Sequence, residues 1–539
     1  MTLDLNLTNI QVEGALSRSL NAAKSVLDYG VGNTGAADCT TEFAAAIADN
    51  AGKSLHVPAG TYLLSEGATA GTCLSITDSI SLVMDPGATL KLATDQAVPL
   101  ITIGDNATAF SNVSIVGGKL DGDAANSTIT PAVRTSLIEV LGPVTDVLVA
   151  DMPVGNALLG RSCIQRTRKH NRAERVHFER CPVDNVTEGV VIQFTNGFHW
   201  RGGDITNMTM QDCFEPHGGI DGWSLRDCTI SGADPSNSEV EIYPQVGDVL
   251  RGVIENVRIK GEARISVSSA ATYEVNGVFI GGGTVFENGL LYTGVGAGRC
   301  RGVIVDGVDF IGPASNVPRT VPTTYKGAIH AIGADNRMDI LNCRVYDYEG
   351  SGINIACDEA KVVGNEVYNN GQAAGLSGYL KCGIYTLGDN VLVMGNRTFD
   401  DQATKTQTYT PQIRGDNARI VGNYFTDADT VTRALGSGWA SLGNIGDFKD
   451  VVDTLVTMPA GQGWVNIDQT LFPGLAHSGD MTFSNRVQVT PLGDISPATQ
   501  WRPYVGGGNW RIVMDANPTN AVTFHVQAIV QSEQVDATL

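Results

Sequence analysis

"AKVVGNEVYNNG", residues 360–371, sets two apolar-x-apolar runs around a small polar corner. The same phrase returns as "WSLRDCTISG" (223–232), "GVIENVRIKG" (252–261), "GVIVDGVDFIG" (302–312), "DILNCRVYDYEG" (339–350), "VLVMGNRTFDD" (391–401) and "ARIVGNYFTDA" (418–428). With Cys228, Val257, Val308, Cys343, Asn365, Asn396 and Asn423 taken as equivalent, most steps fall between 22 and 31 residues. The 51-residue step from Val257 to Val308 then hides one coil, marked by "NGVFIGGGTVFENG" (276–289). Short alternating strands repeating at this period predict an all-β solenoid, a parallel β-helix with about three strands per coil.

Composition agrees. The 539-residue chain carries 63 glycines and only 17% charged residues, as a turn-rich β protein does. Its net charge of −21 disfavours nucleic acid and anionic membranes as partners. No apolar run reaches the length of a membrane span, and "MTLDLNLTNIQVEGALSRSL" lacks the basic start and apolar middle of a signal peptide, so no Sec export is expected. The ten cysteines show no zinc or C-x-x-C spacing and read as free, buried small side chains. One basic run, "RSCIQRTRKHNRAER" (161–175), is either a solvated face or a local site for an anionic polymer.

In a β-helix each residue lies about 4.8 Å from its equivalent one coil on, so period-spaced residues become neighbours. Asn365, Asn396 and Asn423 then form an inward asparagine ladder, a structural feature. A second strand series runs "EGVVIQF" (188–194), "CFEPHGG" (213–219), "SEVEIYP" (238–244), "ARISVSS" (263–269), "SGINIAC" (351–357) and "CGIYTLG" (382–388). Alternation turns Phe214 and Pro216 inward, Glu215 and His217 outward. Glu241 and Tyr243 follow Glu215 and His217 by the same 26 residues, giving a two-by-two patch flanked by Val191 and Gln193 on one side and Ser266 and Ser268 on the other.

The segment "VLDYGVGNTGAADCTTEFAAAIADNAGKSLHVPAGTYLLS" (26–65) resembles the opening of pectate-lyase-like phage tailspikes and related β-helix depolymerases. It carries Asp28-Tyr29-Gly30, a Gly/Asp-rich turn, an amphipathic helix over Thr41 to Asn50 and "VPAGTY" at 57–62. The resemblance implies a right-handed helix, a homotrimer, a virion-tail location with attachment through the N-terminal segment, and a bacterial surface polysaccharide as partner. The domains expected are an attachment or neck segment (1–25), the cap and first coil (26–65), the catalytic β-helix (66–435) and an antiparallel β domain (436–539) for trimerisation or glycan binding. "FEPHGG" also resembles the Asp-Pro-His-Glu stretch of alginate epimerases and their lyase relatives. Glu215 stands where that family has Asp, Gly218 where it has Glu, and Asp212 where it has Tyr.

β-Elimination of a uronate needs a neutralised carboxylate, a base for the C5 proton and an acid for the leaving oxygen. His217 and Tyr243 suit base and acid, with Glu215 and Glu241 tuning them. Arg264, Lys260 or the basic run, through Arg166, Arg168 and Lys169, would hold the anionic chain, with Gln193 beside it. Hydrolysis needs two carboxylates, about 5 Å apart for retention or roughly 6.5 to 9.5 Å for inversion. Glu215 with Glu241 suits the first, and Asp212 or Asp221 with Glu241 the second. A non-catalytic glycan-binding spike is the remaining reading. No cofactor or metal cage is expected, although calcium serves some lyases of this architecture.

Overall fold

In the computed structural model, described residues run from Lys24 to Ile529. Outside the description are residues 1–23, 70, 127, 129–134, 167–171, 209–211, 234–237, 266–272, 294–298, 313–326, 333–336, 374, 377, 427–432, 435–439, 443, 447–450, 463, 468–486, 492–500, 507–508 and 530–539. Residues 1–23 of the expected neck segment (1–25), Arg168, Lys169, Ser266 and Ser268 fall there. The chain divides into two compact units, Met1–Thr323 and Thr324–Leu539, within what was expected to be one helical domain.

Near its start, after two short strands and a helical turn, the first unit carries α1 (Thr40–Asp49), one residue from the helix expected. Its Phe43, Ala46 and Ile47 are buried, and Phe43 meets the Tyr62 ring edge-on at 5.8 Å. A helix here covers strand edges that would otherwise invite pairing. Parallel strands then stack coil upon coil. The wall that matters most comprises β1 (Val183–Gln193), β2 (Phe214–Gly218), β3 (Val240–Ile242), β4 (Glu262–Ile265) and β5 (Leu290–Thr293). Val190, Phe214, Val240, Ala263 and Leu291 lie in one column across them.

Apolar residues of the short alternating runs fill the interior. Phe178, Phe198, Trp200, Phe214 and Trp223 are all buried, with ring centroids 5.3 to 6.4 Å apart in successive pairs. Each contributes about 25 cal/mol per Å² of apolar surface removed from water. The hidden coil is present: Val253 pairs with Phe279, Phe279 with Ile304, Arg258 with Val285 and Val285 with Asp309. Outside, on the neighbouring walls, Arg175, Arg180, Arg201 and Arg251 pair with Asp146, Asp151, Asp227 and Asp221.

In the second unit β6 (Ile353–Ala356), β7 (Cys382–Thr386) and β8 (Tyr409–Ile413) stack in parallel. The asparagine ladder is continuous. Asn365 Nδ2 donates to Asn396 Oδ1 at 2.9 Å, Asn396 Nδ2 to Asn423 Oδ1 at 2.9 Å, and Asn423 Nδ2 to Asn444 Oδ1 at 2.8 Å. Asn444 corrects the boundary expected at 436. "SLGN" is another copy of the repeated phrase rather than a linker, and Ala440–Leu442 and Ile445–Gly446 still pair in parallel with Arg419–Val421 and Tyr424–Phe425. Antiparallel strands begin at Val451 and form two three-stranded sheets, as expected for the C-terminal region.

Asn396 is 1% exposed; its side chain also donates to Val362 O, and its Oδ1 accepts from Asn365 N. Asn396→Leu strands several buried polar groups at once and is expected to destabilise this unit by about 2–4 kcal/mol. Thermal unfolding checks this, with exposed Arg397→Ala expected to change stability by less than about 1 kcal/mol.

Candidate functional site

The site lies on β1 to β4, and its arrangement follows from the corners. Gly189 lets β1 pass the next coil closely: a Cβ there would sit 1.8 Å from Cys213 O. That approach seats Glu188 against the residues before β2. At the far end, Ile192 pairs with Pro216 but Gln193 with Gly218, so His217 is an extra residue in a bulge. Gly218 and Gly219, both at positive φ (123° and 67°), supply the backbone the bulge needs. In β3, Phe214 pairs with Val240 and Tyr243 N donates to Pro216 O at 2.9 Å, so the 26-residue register between the two strands is as expected.

The four patch residues do meet. His217 and Tyr243 rings lie 5.6 Å apart, tilted by 31°. Glu215 Oε1 is 3.4 Å from His217 Nδ1, and Gln193 Nε2 is 3.2 Å from the same nitrogen. Asp212, Glu215 and Glu241 each place a carboxylate oxygen within 4.8 Å of the others. Glu188 adjoins Glu215 and Asp212 adjoins Glu241 closely enough for each to act on its neighbour's titration. Arg264 Nη1 stands 3.5 Å from Glu241 Oε1.

Several expectations are corrected. Glu215 and His217, which alternation turns outward, are covered rather than exposed: each is only 6% exposed. The neighbour of Glu241 on β4 is Arg264, not Ser266, because Gly261 alone turns the corner between Lys260 and Glu262 and shortens that coil. Lys260 ends a strand of the adjoining wall, paired with Ser231, and is exposed. Asp221 is held by Arg251 at 2.5 Å on that wall rather than paired with Glu241. In the basic run, Arg175 binds Asp146 and Arg172 binds Asn196. Arg166 ends the strand Val154–Arg166, opposite Gln193.

Sequence reasoning missed Glu188, 3% exposed, and Glu239 and Glu262, 2% and 0% exposed. Glu188 was within reach: the 24-residue step from Val190 to Phe214 also carries Glu188 to Asp212. Glu239 Oε2 accepts from Glu262 N at 2.6 Å, and a Cβ on Gly261 would meet the Glu239 carboxylate at 2.1 Å.

Burial, then the charges of its neighbours and the Glu188 hydrogen bond, pushes the Glu215 carboxyl well above the usual range. Burial and Glu241 push Asp212 up to about 8, against the opposing hydrogen bond from Ser238 N. Burial raises Glu241 too, while Arg264 and Asp212 oppose the rise. Glu239 is pushed up to about 7 by burial. The three clustered oxygens are the group a divalent cation would use, but calcium takes six to eight oxygens.

No protein-family model matches the sequence, and no curated protein does either. Among solved structures, the tailspike protein of E. coli bacteriophage HK620, in complex with a pentasaccharide, matches with TM-score 0.56 and 12% identity over 95% of each chain. The chain has the fold of a phage tailspike. A double mutant of that tailspike, also in complex with a pentasaccharide, matches at TM-score 0.55 and 12% identity, again over 95% of each chain. The A-module of mannuronan C-5 epimerase AlgE4 from Azotobacter vinelandii matches more loosely, with TM-score 0.44 and 13% identity over 78% of this chain and 99% of that one.

The acids make a pH prediction. Asp212, Glu215, Glu239 and Glu241 hold protons to higher pH in the folded than in the unfolded chain, where carboxyls titrate near about 4. The folded state therefore binds more protons between that value and about 8, the value for Asp212. Stability falls as pH rises through this window. Glu215→Gln, which cannot ionise, is expected to raise the unfolding midpoint at pH near 8 by a few degrees and to leave it nearly unchanged at pH near 4, read by calorimetry across pH.

Proposed function

We propose that the chain is a tailspike depolymerase that binds and cleaves a bacterial surface polysaccharide, and that it does so by β-elimination. The carrying observation is the pairing of His217 and Tyr243 on adjoining coils, with Glu215 on His217 Nδ1 and Arg264 in the next strand. The fold supports the reading, as does the pentasaccharide in the HK620 tailspike complex.

In the elimination, His217 takes the C5 proton of a uronate. The C5–H electrons form the C4=C5 double bond, the C4–O bond breaks, and Tyr243 gives its proton to the departing oxygen. Arg264, on the strand next to Glu241, offers N–H donors to the substrate carboxylate, which makes the C5 proton easier to remove. A cluster of ionised acids would repel that carboxylate; acids kept protonated by burial do not. Attachment through the N-terminal segment, assembly as a homotrimer and action at the virion tail complete the proposal.

A second reading has its own observation: Glu215, Glu241 and Asp212 lie within 4.8 Å, near the separation of about 5 Å used by retaining glycosidases. The two are separated by incubating the protein with purified acidic capsules and lipopolysaccharides. Elimination predicts ultraviolet absorbance from the unsaturated uronate and a loss of about 10³-fold or more in kcat for His217→Ala and about 10²-fold for Tyr243→Phe. New reducing ends without that absorbance, abolished by Glu241→Gln but not by His217→Ala, contradict it and support hydrolysis. Binding without cleavage of any acidic polysaccharide contradicts both.

A further inference from the structure

In the repeated phrase, the positions two before and three after the corner residue point outward. Around Cys228 and Val257 of the first unit they carry Arg226 and Ser231, then Glu255 and Lys260. Around Cys343, Asn365 and Asn396 of the second unit they carry Leu341 and Tyr346, Val363 and Tyr368, Met394 and Phe399. Val421 continues the aliphatic series one coil further. Places that hold polar and charged side chains in one unit thus hold apolar and aromatic ones in the other. The core does not account for them. None of these seven residues is buried, Met394 is 38% exposed, and Tyr424, paired with Arg397 between the two series, is 43% exposed.

The two ladders flank the asparagine corner. On one flank the rings of Tyr346, Tyr368 and Phe399 stack with centroids 5.0 and 4.9 Å apart and planes within 4° of parallel, and the Arg397 guanidinium lies 4.4 Å from the Phe399 centroid. Tyr368 has a ring against each face, so only its edge is left to offer. An edge packs against protein side chains but gives a sugar ring no face to stack on. Charges among these strands are met within the chain, Glu366 by Arg397 at 2.9 Å and Asp339 by Lys361 at 3.0 Å.

We propose that this face is where copies of the chain associate, its occupant being a second copy of the same chain. A ladder that repeats at every coil, about 4.8 Å, is matched in spacing by another copy lying alongside, whose side chains interleave with it coil after coil. A partner without that repeat meets it at one or two coils only. The net charge of −21 drives copies apart, and the internal pairing of Glu366 and Asp339 lets them meet here without setting acid against acid. With the corner turned to a common axis, the Leu341–Val363–Met394 flank of one copy packs on the Tyr346–Tyr368–Phe399 flank of the next. Such a contact between unlike flanks closes into a ring. That the ring holds three copies rests on the tailspike reading; the face itself does not.

Sedimentation of the full chain tests this. The wild type is expected at three times the mass of one chain at micromolar concentration. Val363→Glu combined with Met394→Glu puts uncompensated charge into the contact and is expected to raise the concentration for half-dissociation by at least about 100-fold. Lys260→Glu, at the equivalent position of the first unit, is expected to leave the mass unchanged. If the double variant does not fold, a photo-cross-linking phenylalanine analogue at Tyr424 replaces it, expected to join chain to chain while the same group at Lys260 does not. A wild type that sediments as single chains overturns the proposal, as does an assembly that the double variant leaves intact or a Tyr424 probe that joins no chains. Single chains whose polysaccharide binding the double variant abolishes also overturn it, with sugar as the occupant. Two copies, dispersed by the double variant, uphold the face and reject the number three. Cleavage is no part of the readout, so a failed depolymerase reading leaves this result standing.

Discussion

In-register parallel stacking is the constraint on which everything else depends. Each coil lays its residues about 4.8 Å from their equivalents, so a side chain's neighbours are chosen by the length of a coil and not by proximity in sequence. The same rule that lines up Asn365, Asn396, Asn423 and Asn444 as mutual donors and acceptors also lines up Glu215 with Glu241 and Glu188 with Asp212. Amides stacked this way satisfy one another. Carboxylates stacked this way cannot all ionise, because like charges at that spacing in a dry setting repel strongly.

The wall resolves the conflict chemically. Burial and the neighbouring acids raise the carboxyls of Asp212, Glu215 and Glu241, Arg264 faces Glu241, and Glu215 turns an oxygen to His217. Asp212, pushed up to about 8, holds its proton near neutrality, which is where acid–base catalysis works best. The rest of the unit carries its charges differently: on the outer walls, Arg175, Arg180, Arg201 and Arg251 each meet an aspartate one coil away in solvent, where such pairs contribute little and perturb nothing important. The concentration of acids on β1 to β4 therefore costs stability that the outer pairs do not, and the scaffold of apolar stacking around Phe214 and Trp223 offsets it.

Much of this was legible in the sequence because the repeat is local. Alternating runs with glycine and asparagine corners gave the coil, its period and the partnership of Glu215 with Glu241. What escaped was set by corner lengths, which vary from coil to coil. Gly261 makes a one-residue corner, and so Arg264 and not Ser266 faces Glu241. The His217 bulge could not be seen from alternation, though the adjacent Gly218-Gly219 pair was its signal. Burial of Glu215 and His217 was misjudged because alternation distinguishes inward from outward but not an open wall from a covered one. The extra coil through Asn444 was hidden by a glycine- and serine-rich composition that resembles a linker.

The central claim is that stacking and burial keep carboxyl groups protonated on this wall near neutral pH. Infrared difference spectra of the full chain at neutral pH, taken against Glu215→Gln and Asp212→Asn, test it most directly. The account predicts a protonated-carboxyl C=O band in the wild type, part of which disappears in each variant. A spectrum with only ionised carboxylate bands, in which neither variant removes protonated-carboxyl intensity, would contradict it.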